Sequence, residues 1–278
     1  MKRYVLIAFL LVSCITFMGL KLRLDNISRE KVPGSSIIYI PSVKYLKYAT
    51  LGYTSIAADL IYLWAIQYYS DTEIKDRYDH LEHIFSIIFE MDPYYLDPYE
   101  IGAVIAVYEA ENVGAALRIL DKGIENNPDQ WLFPFEAGHY AQRNLNDYQT
   151  AQRYYKQAMD IDGAPPQARR LFANAAFEIF DYKTALKTWF EIYQTATDER
   201  TRKIASNHLY RVRAAIDIKA IKEALAKYRD RYGHYPLELD QLVPNGYLQA
   251  VPSDMDGKNY FYDPKTGEVK PPTIPWKR

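Results

Sequence analysis

The chain repeats itself with a period of 34 to 35 residues, and this period constrains its fold more than any other feature. Leu81, Ala116, Ala151 and Ala185 mark one position of the repeat, with steps of 35, 35 and 34 residues. In the two clearest copies a bulky residue follows four positions later and a small residue seven positions later. This spacing places all three on one helix face, with small residues where a neighbouring helix approaches closely. The period predicts a solenoid of stacked helix pairs.

Short motifs at fixed places in the repeat carry a resemblance to a known family. Residues 147–151 (DYQTA) and 181–185 (DYKTA) match the start of a second helix in the tetratricopeptide repeat family, which the chain resembles. Residues 91–93 (MDP) and 126–128 (NNP) match the usual repeat end. The Leu-Gly pair of the family's first helices survives only at 137–138, as Ala-Gly. The resemblance implies a protein-binding repeat domain.

We expect a mainly α chain: a right-handed, tetratricopeptide-like solenoid of about four helix pairs with an N-terminal membrane anchor, a long capping helix and a small C-terminal β-hairpin module. The pairs are predicted at 53–70 with 75–91, 97–110 with 113–126, 131–143 with 147–161, and 166–179 with 182–196. The predicted division is a signal anchor or signal peptide at 1–23, a tether at 24–50, the solenoid at 51–198, a long helix at 199–231 and a C-terminal module at 232–278.

The N-terminus has the composition of a targeting segment. Lys2 and Arg3 precede a run from Tyr4 to Leu20 that contains no charged residue, at the lower length limit for crossing a bilayer. Basic residues stay in the cytoplasm, so the bulk of the chain is expected in the periplasm of a single-pass inner-membrane protein. An uncleaved anchor is favoured over a cleaved signal peptide. The alternative is a lipoprotein acylated at Cys14, the only cysteine.

Composition and motifs argue against several classes of function. The net charge of −1 does not suit a nucleic-acid-binding surface. The sequence holds no HExxH motif, phosphate-binding glycine loop, paired-cysteine zinc pattern or nucleophile elbow, so we expect no enzyme, no cofactor and no small-molecule substrate. His80 and His83 have metal-ligand spacing, but a helix-surface pair is the better interpretation. The 26 tyrosines suit inter-helix grooves and a binding surface.

The C-terminal residues form a separate pattern. Residues 260–262 and 267–269, joined by a turn at 263–266, are predicted to form a β-hairpin. Residues 217–269 resemble the end of the major pseudopilins of type II secretion, although the pilin N-terminal motif is missing. The resemblance implies a calcium-binding loop, for which Asp254, Asp256 and Asn259 are weak candidates. Residues of these types in a turn are more often turn formers.

The expected binding surface is the concave face, which first helices line in a solenoid. Arg170 and Asn174 occupy positions that hold half of the carboxylate clamp in some tetratricopeptide domains. A solvated helix face is an equally good interpretation of these two residues. An apolar and aromatic strip with polar residues beside it is predicted from Ile101, Ile105, Tyr108, Phe133, Glu136, Tyr140, Arg143, Arg170, Asn174 and Phe177.

These features predict a membrane-anchored, extracytoplasmic scaffold or assembly factor for a bacterial envelope system, which handles secretion, a pilus or a surface polymer. Its partner would be a protein or peptide of the envelope, bound in the concave groove. The alternative is a minor structural component that docks through residues 232–278 into a pseudopilus-like assembly, with the solenoid as spacer. An unrecognised enzyme ranks last, because no residues are in place to carry catalysis.

Overall fold

Helices dominate the computed structural model, which describes residues 2–25 and 42–274. A 3₁₀ turn at Leu239–Leu242 and an antiparallel pair of strands, β1 (Phe261–Asp263) and β2 (Glu268–Lys270), follow the helices. The described helices are α1 (Lys2–Asp25), α2 (Val43–Ala49), α3 (Thr54–Ser70), α4 (Leu81–Met91), α5 (Asp97–Tyr108), α6 (Val113–Asn126), α7 (Leu132–Asn144), α8 (Tyr148–Met159), α9 (Pro166–Glu178), α10 (Tyr182–Thr195) and α11 (Glu199–Tyr232).

The predicted helix pairs are present. α3 pairs with α4, α5 with α6, α7 with α8 and α9 with α10, and each pair packs on the next. The mainly α, helical-repeat architecture and the C-terminal hairpin are therefore confirmed. One predicted boundary is wrong, because α4 begins at Leu81 and not at residue 75. Residues 71–80 form turns instead, and in the first of them the Asp71 carboxylate accepts the Glu73 N–H at 3.0 Å. The handedness of the solenoid stays a prediction.

The same turn is built inside three successive pairs. The first helix ends, one residue adopts a positive φ, and the next residue caps the second helix by accepting an N–H three positions later. The carboxamide or carboxylate caps satisfy a helix start that would otherwise have free N–H groups. The positive-φ residues are Glu111, Asn146 and Phe180, and the caps are Asn112, Asp147 and Asp181.

Small residues allow the helices to approach one another. Ala116, Ala151 and Ala185 are completely buried, as the repeat register predicts. A Cβ added at Gly123 on α6 would lie 2.9 Å from the ring of Phe133 on α7. These contacts explain why the repeat keeps Ala or Gly where helices cross.

The long helix α11 closes the array and also carries the C-terminal module. Its first half packs through Ala205, Leu209 and Val212 against Trp189 of α10. Its second half forms a separate core with the module, and hydroxyls of Tyr210 and Tyr260 donate to buried carboxylates there. That core contains Ile221, Ala224, Leu225, Tyr228, Leu239, Leu242, Tyr260 and Val269. The proposed division near 231 remains untested.

The N-terminal predictions have a mixed outcome. α1 is continuous over 24 residues, and its described side chains, residues 9–23, are exposed. Across residues 2–25 and 42–274, no helix has the length and apolar character needed to cross a membrane, so the predicted anchor is not found there. Part of the predicted tether, residues 26–41, lies outside the described residues, and its end is the helix Val43–Ala49.

Candidate protein-binding surface

The outward sides of the first helices are predicted to form one face, which we call the first-helix face. It is made by Ile101 and Tyr108 of α5, Glu136 and Arg143 of α7, and Arg170 and Asn174 of α9. Tyr108 is 65% exposed, whereas Glu136, Arg170 and Asn174 are half-buried, so their polar ends stand above a packed floor. Six of the ten predicted groove residues are therefore accessible, and their common face stays a prediction.

The structure corrects the predicted strip at its other positions. Phe133 is only 1% exposed, because Gly123 leaves room for its ring between helices, and it packs on Tyr99 at a centroid distance of 5.3 Å. Tyr140 and Ile105 are also buried, at 5% and 9% exposure. These three residues belong to the hydrophobic core, so the predicted continuous aromatic strip is not present on the surface.

Phe177 is also covered. The guanidinium carbon of Arg211 on α11 lies 4.1 Å from the centroid of the Phe177 ring, a cation–π contact. Arg211 also forms an ion pair with Glu178 at 3.1 Å. Phe177 thus joins α9 to α11, and the sequence could not show this because the rotation of the capping helix decides it.

One end of the first-helix face is acidic, and we call it the acidic pole: Asp59, Asp97, Glu100 and Glu136. Burial raises the pKa of Glu136, the Glu100 carboxylate raises it further, and a hydrogen bond from Tyr140 opposes both. Burial together with Tyr95, Asp97 and Glu100 raises the pKa of Tyr62 to about 12. Carboxylates of α3 and α5 act together on Tyr95, and carboxylates of α5 and α7 act together on Tyr140.

A second group is mainly basic, and we call it the basic pole: Arg143, Arg170 and Arg211, of which Arg211 pairs with Glu178 and Arg143 acts on Tyr155 together with Glu136. Burial lowers the pKa of His139, and Arg143 lowers it further. Burial, then Arg211 and Arg170, lower the pKa of His208 to about 4, so this imidazole is neutral at pH 7. His208 stacks flat on the Trp189 indole at 3.9 Å. The pole is a cationic surface on α7, α9 and α11.

The predicted half of a carboxylate clamp keeps its geometry on one helix. Arg170 and Asn174 are four residues apart on α9, so they share a face and both are half-buried. On α7, the preceding first helix, Glu136 is half-buried and Tyr140 is buried. The other half of a clamp is therefore not identified on α7.

No group of three or more His, Cys, Asp or Glu side chains in the described part of the chain is arranged to hold a metal ion. His83 is exposed on α4, and His80 immediately precedes that helix. Asp254 is buried and acts inside its loop: one oxygen accepts the N–H groups of Asp256 and Lys258, and the other accepts the Tyr210 hydroxyl. Asp254 thus organises the loop that was considered for calcium.

A second surface was missed by the sequence analysis. α10, α11 and the loop 253–255 enclose an open groove of about 820 Å³. The signal was present, because Leu186, Phe190 and Tyr193 recur at helical spacing on α10. The repeat register gave no reason to expect that face to stay uncovered.

Comparison with known proteins gives distant structural likeness only. No protein-family model matches the chain, and no curated protein matches it. Among solved structures, 22 chains match. One belongs to the structure of Naa15/Naa10 bound to HypK-THB, with a TM-score of 0.39 and 14% identity over 68% of the present chain. The present chain spans 29% of that chain's length.

Proposed function

We propose that the chain is a protein-interaction scaffold whose first-helix face holds a segment of a partner protein. The observation that carries this proposal is the accessible surface of the first helices, on which exposed carboxylates lie mainly on α5 and guanidiniums on α7 and α9. Opposite charges at two ends fix the direction of a bound segment, because reversing it would bring like charges together. Binding, and no catalysis, is the role we infer.

The dimensions of the face define the segment. Neighbouring helices pack roughly 8–10 Å apart, so the distance from α5 to α9 across two spacings is about 20 Å. An extended chain advances about 3.3 Å per residue, so about six residues cover that distance. The partner segment would carry Lys or Arg at the end over α5 and Asp or Glu at the end over α9. Tyr108 of α5 would contact the segment toward its basic end.

Photo-crosslinking in the native cell tests this proposal. A benzoylphenylalanine placed at Tyr108 should form adducts with a partner, whereas the same group at Tyr94, which is 77% exposed in the α4–α5 loop, should not. The adduct should be lost in the charge-reversed variant Glu100→Lys/Arg143→Glu. Equal adducts at both positions, or adducts that survive the charge reversal, would remove the first-helix face as the binding surface.

We also propose that the N-terminus holds the scaffold at the inner membrane, with the repeats in the periplasm. Support comes from the uncharged run Tyr4 to Leu20 and from the exposed apolar side chains of α1. The outward side of α3 adds Ile56, Leu60 and Leu63, each more than half exposed. Lipid acylation at Cys14 is the alternative means of attachment.

Fractionation separates these possibilities. The full chain should sediment with membranes and resist high-salt extraction, because apolar contacts hold it. Recovery of the full chain in the soluble fraction would contradict membrane attachment. Incorporation of labelled palmitate that is lost in Cys14→Ala would assign a lipoprotein.

We further propose that the scaffold serves an envelope system, which handles secretion, a pilus or a surface polymer. The pseudopilin-like resemblance of residues 217–269 favours secretion, and the module exposes Leu237 and Phe261 at 74% and 65%. Crosslinkers at these two residues should capture a different protein from the one captured at position 108. Capture only at the module would make docking of the module the main role.

A further inference from the structure

The groove missed by the sequence analysis has a definite place in the repeat. The second helices stand side by side: Arg118 of α6 forms two hydrogen bonds with Glu82 of α4, at 2.6 and 2.7 Å. Tyr154 of α8 donates to Asp121 of α6 at 2.7 Å. α10 continues this row, since α8 and α10 line a shared cavity.

α11 occupies the position of a fifth first helix, because it packs on α10 as α9 packs on α8. A fifth second helix would lie beside α10 and against α11, and the groove is at this position. After Gly233 the chain turns into the module, and among the described residues that follow α11 only the loop 253–255 reaches the groove, at one end. The position is shaped for a helix, and no described helix of this chain fills it.

The groove is apolar along its length. Leu186, Phe190 and Tyr193 of α10 face Leu209 of α11, and Met255 closes one end. Phe190 is 51% exposed and Met255 is 48% exposed, so large apolar surfaces meet solvent there. A smaller cavity lined by Tyr193, Ser206 and Arg202 continues the groove toward the start of α11. From 202 to 213 the groove extends about 17 Å along α11, the length of a three-turn helix.

The border of the groove is basic. Lys183, Lys187 and Arg213 line its main part, and Arg202 and Lys203 line its continuation beside Glu199, whose carboxylate pairs with Arg202. Lys187, Arg202 and Arg213 have ion-pair partners on their own helices, whereas Lys183 and Lys203 make no ion pair with any described residue. The carboxylate of Asp254 is turned inward, to Tyr210 and to backbone N–H groups. The uncompensated charge at the border is therefore positive.

We propose that this groove binds an amphipathic helix of a partner protein, about three turns long, whose apolar stripe is bordered by Asp and Glu. The apolar stripe would bury Phe190 and Met255, and the acidic border would pair with Lys183 and Lys203. α1 of a second copy does not fit this description, because Tyr4 to Leu20 contains no acidic residue. The groove is separate from the first-helix face, so either surface can fail its test without the other.

Fluorescence anisotropy on the full chain tests the proposal with two labelled peptides of about 14 residues. Both carry Leu at the same helical spacing, and one has Glu on both borders of the Leu stripe where the other has Lys. We expect the Glu peptide to bind at least about tenfold more tightly than the Lys peptide, and its binding to weaken with added salt. The double variant Lys183→Glu/Lys203→Glu should reverse the preference.

A substitution in the groove floor provides the second measurement. Phe190→Glu should weaken binding of the Glu peptide by about tenfold or more, because it places a charge among the apolar contacts. Tyr94→Glu, an equally drastic change at an exposed aromatic residue of another pair, should leave binding unchanged. Equal affinity for both peptides, an undetectable complex, or full binding by Phe190→Glu would overturn the proposal. So would a signal that follows only self-association of the chain.

Discussion

At the residue scale, the distance between helices depends on glycines whose missing side chains leave space for aromatic rings of the next helix. A Cβ at Gly123 would stand 2.9 Å from Phe133, which is fully buried and cannot move aside. Gly123→Ala should therefore lower the free energy of unfolding by about 1–3 kcal/mol, measured by urea denaturation. Gly114→Ala on the same helix is the control: its Cβ would be exposed, 3.4 Å from Arg118, and should be neutral or stabilise by up to about 1 kcal/mol. Equal losses in both variants would refute this packing.

His208 gives stability a dependence on pH. Burial and the nearby Arg211 and Arg170 lower its pKa from 6.5 to about 4, so the unfolded chain takes up the proton first as the pH falls. The free energy of unfolding therefore does not depend on His208 protonation above pH 6.5, and it decreases progressively as the pH falls toward 4. His208→Gln should unfold more easily at pH 7, because stacking on Trp189 is lost, but its stability should fall less than that of the parent between about pH 7 and about pH 5. Parallel slopes of parent and variant would show that His208 titrates normally.

At the element scale, α11 is one helix that belongs to two cores. Leu242 of the module is fully buried against its second half, and Leu242→Ala should remove about 2–5 kcal/mol from that core. Hydrogen exchange measured by mass spectrometry should then accelerate over 221–270 and stay unchanged in α7 and α8. Acceleration of equal size in α7 and α8 would show instead that array and module unfold as a single unit.

Local chemistry made the second helices predictable. The caps Asn112, Asp147 and Asp181 act within four residues of chain, so the sequence alone reveals where those helices start. α4 has no such side-chain cap, and its start was placed six residues too early. Whether an aromatic residue of a first helix points outward depends on the rotation of that helix against its neighbours. The sequence does not contain this rotation, so it predicts Tyr108, Phe133 and Tyr140 all on the surface, whereas only Tyr108 of these three is exposed.

At the scale of the whole molecule, the two proposed binding surfaces differ in charge and in the elements that form them. The first-helix face carries both signs, with carboxylates on α3, α5 and α7 and guanidiniums on α7, α9 and α11. The groove of α10 and α11 has a mainly basic border, on which Glu199 pairs with Arg202 and Asp254 turns its carboxylate inward. A scaffold with two such surfaces can hold two partner segments at once, since α11 contributes different sides to each.

The two ends of the chain should contribute unequally to its stability. The described side chains of α1, residues 9–23, are exposed, and we expect deletion of residues 1–41 to change the thermal midpoint by less than about 2 °C. Deleting residues 233–278 removes Leu239, Leu242 and Val269 from the core on α11 and exposes Ile221 and Leu225 to water. That deletion should lower the midpoint by more than about 5 °C and promote self-association through the uncovered face.

Thermal melts measured by circular dichroism compare the midpoints of the two deletion variants, and light scattering compares their self-association. Equal midpoints would mean that the module adds no stability to the array, and that α11 stays folded on α10 alone. A large loss on deleting residues 1–41 would mean that the N-terminal segment packs on the repeats in solution. In that case the exposed side of α3, with Ile56, Leu60 and Leu63, is the surface it would cover.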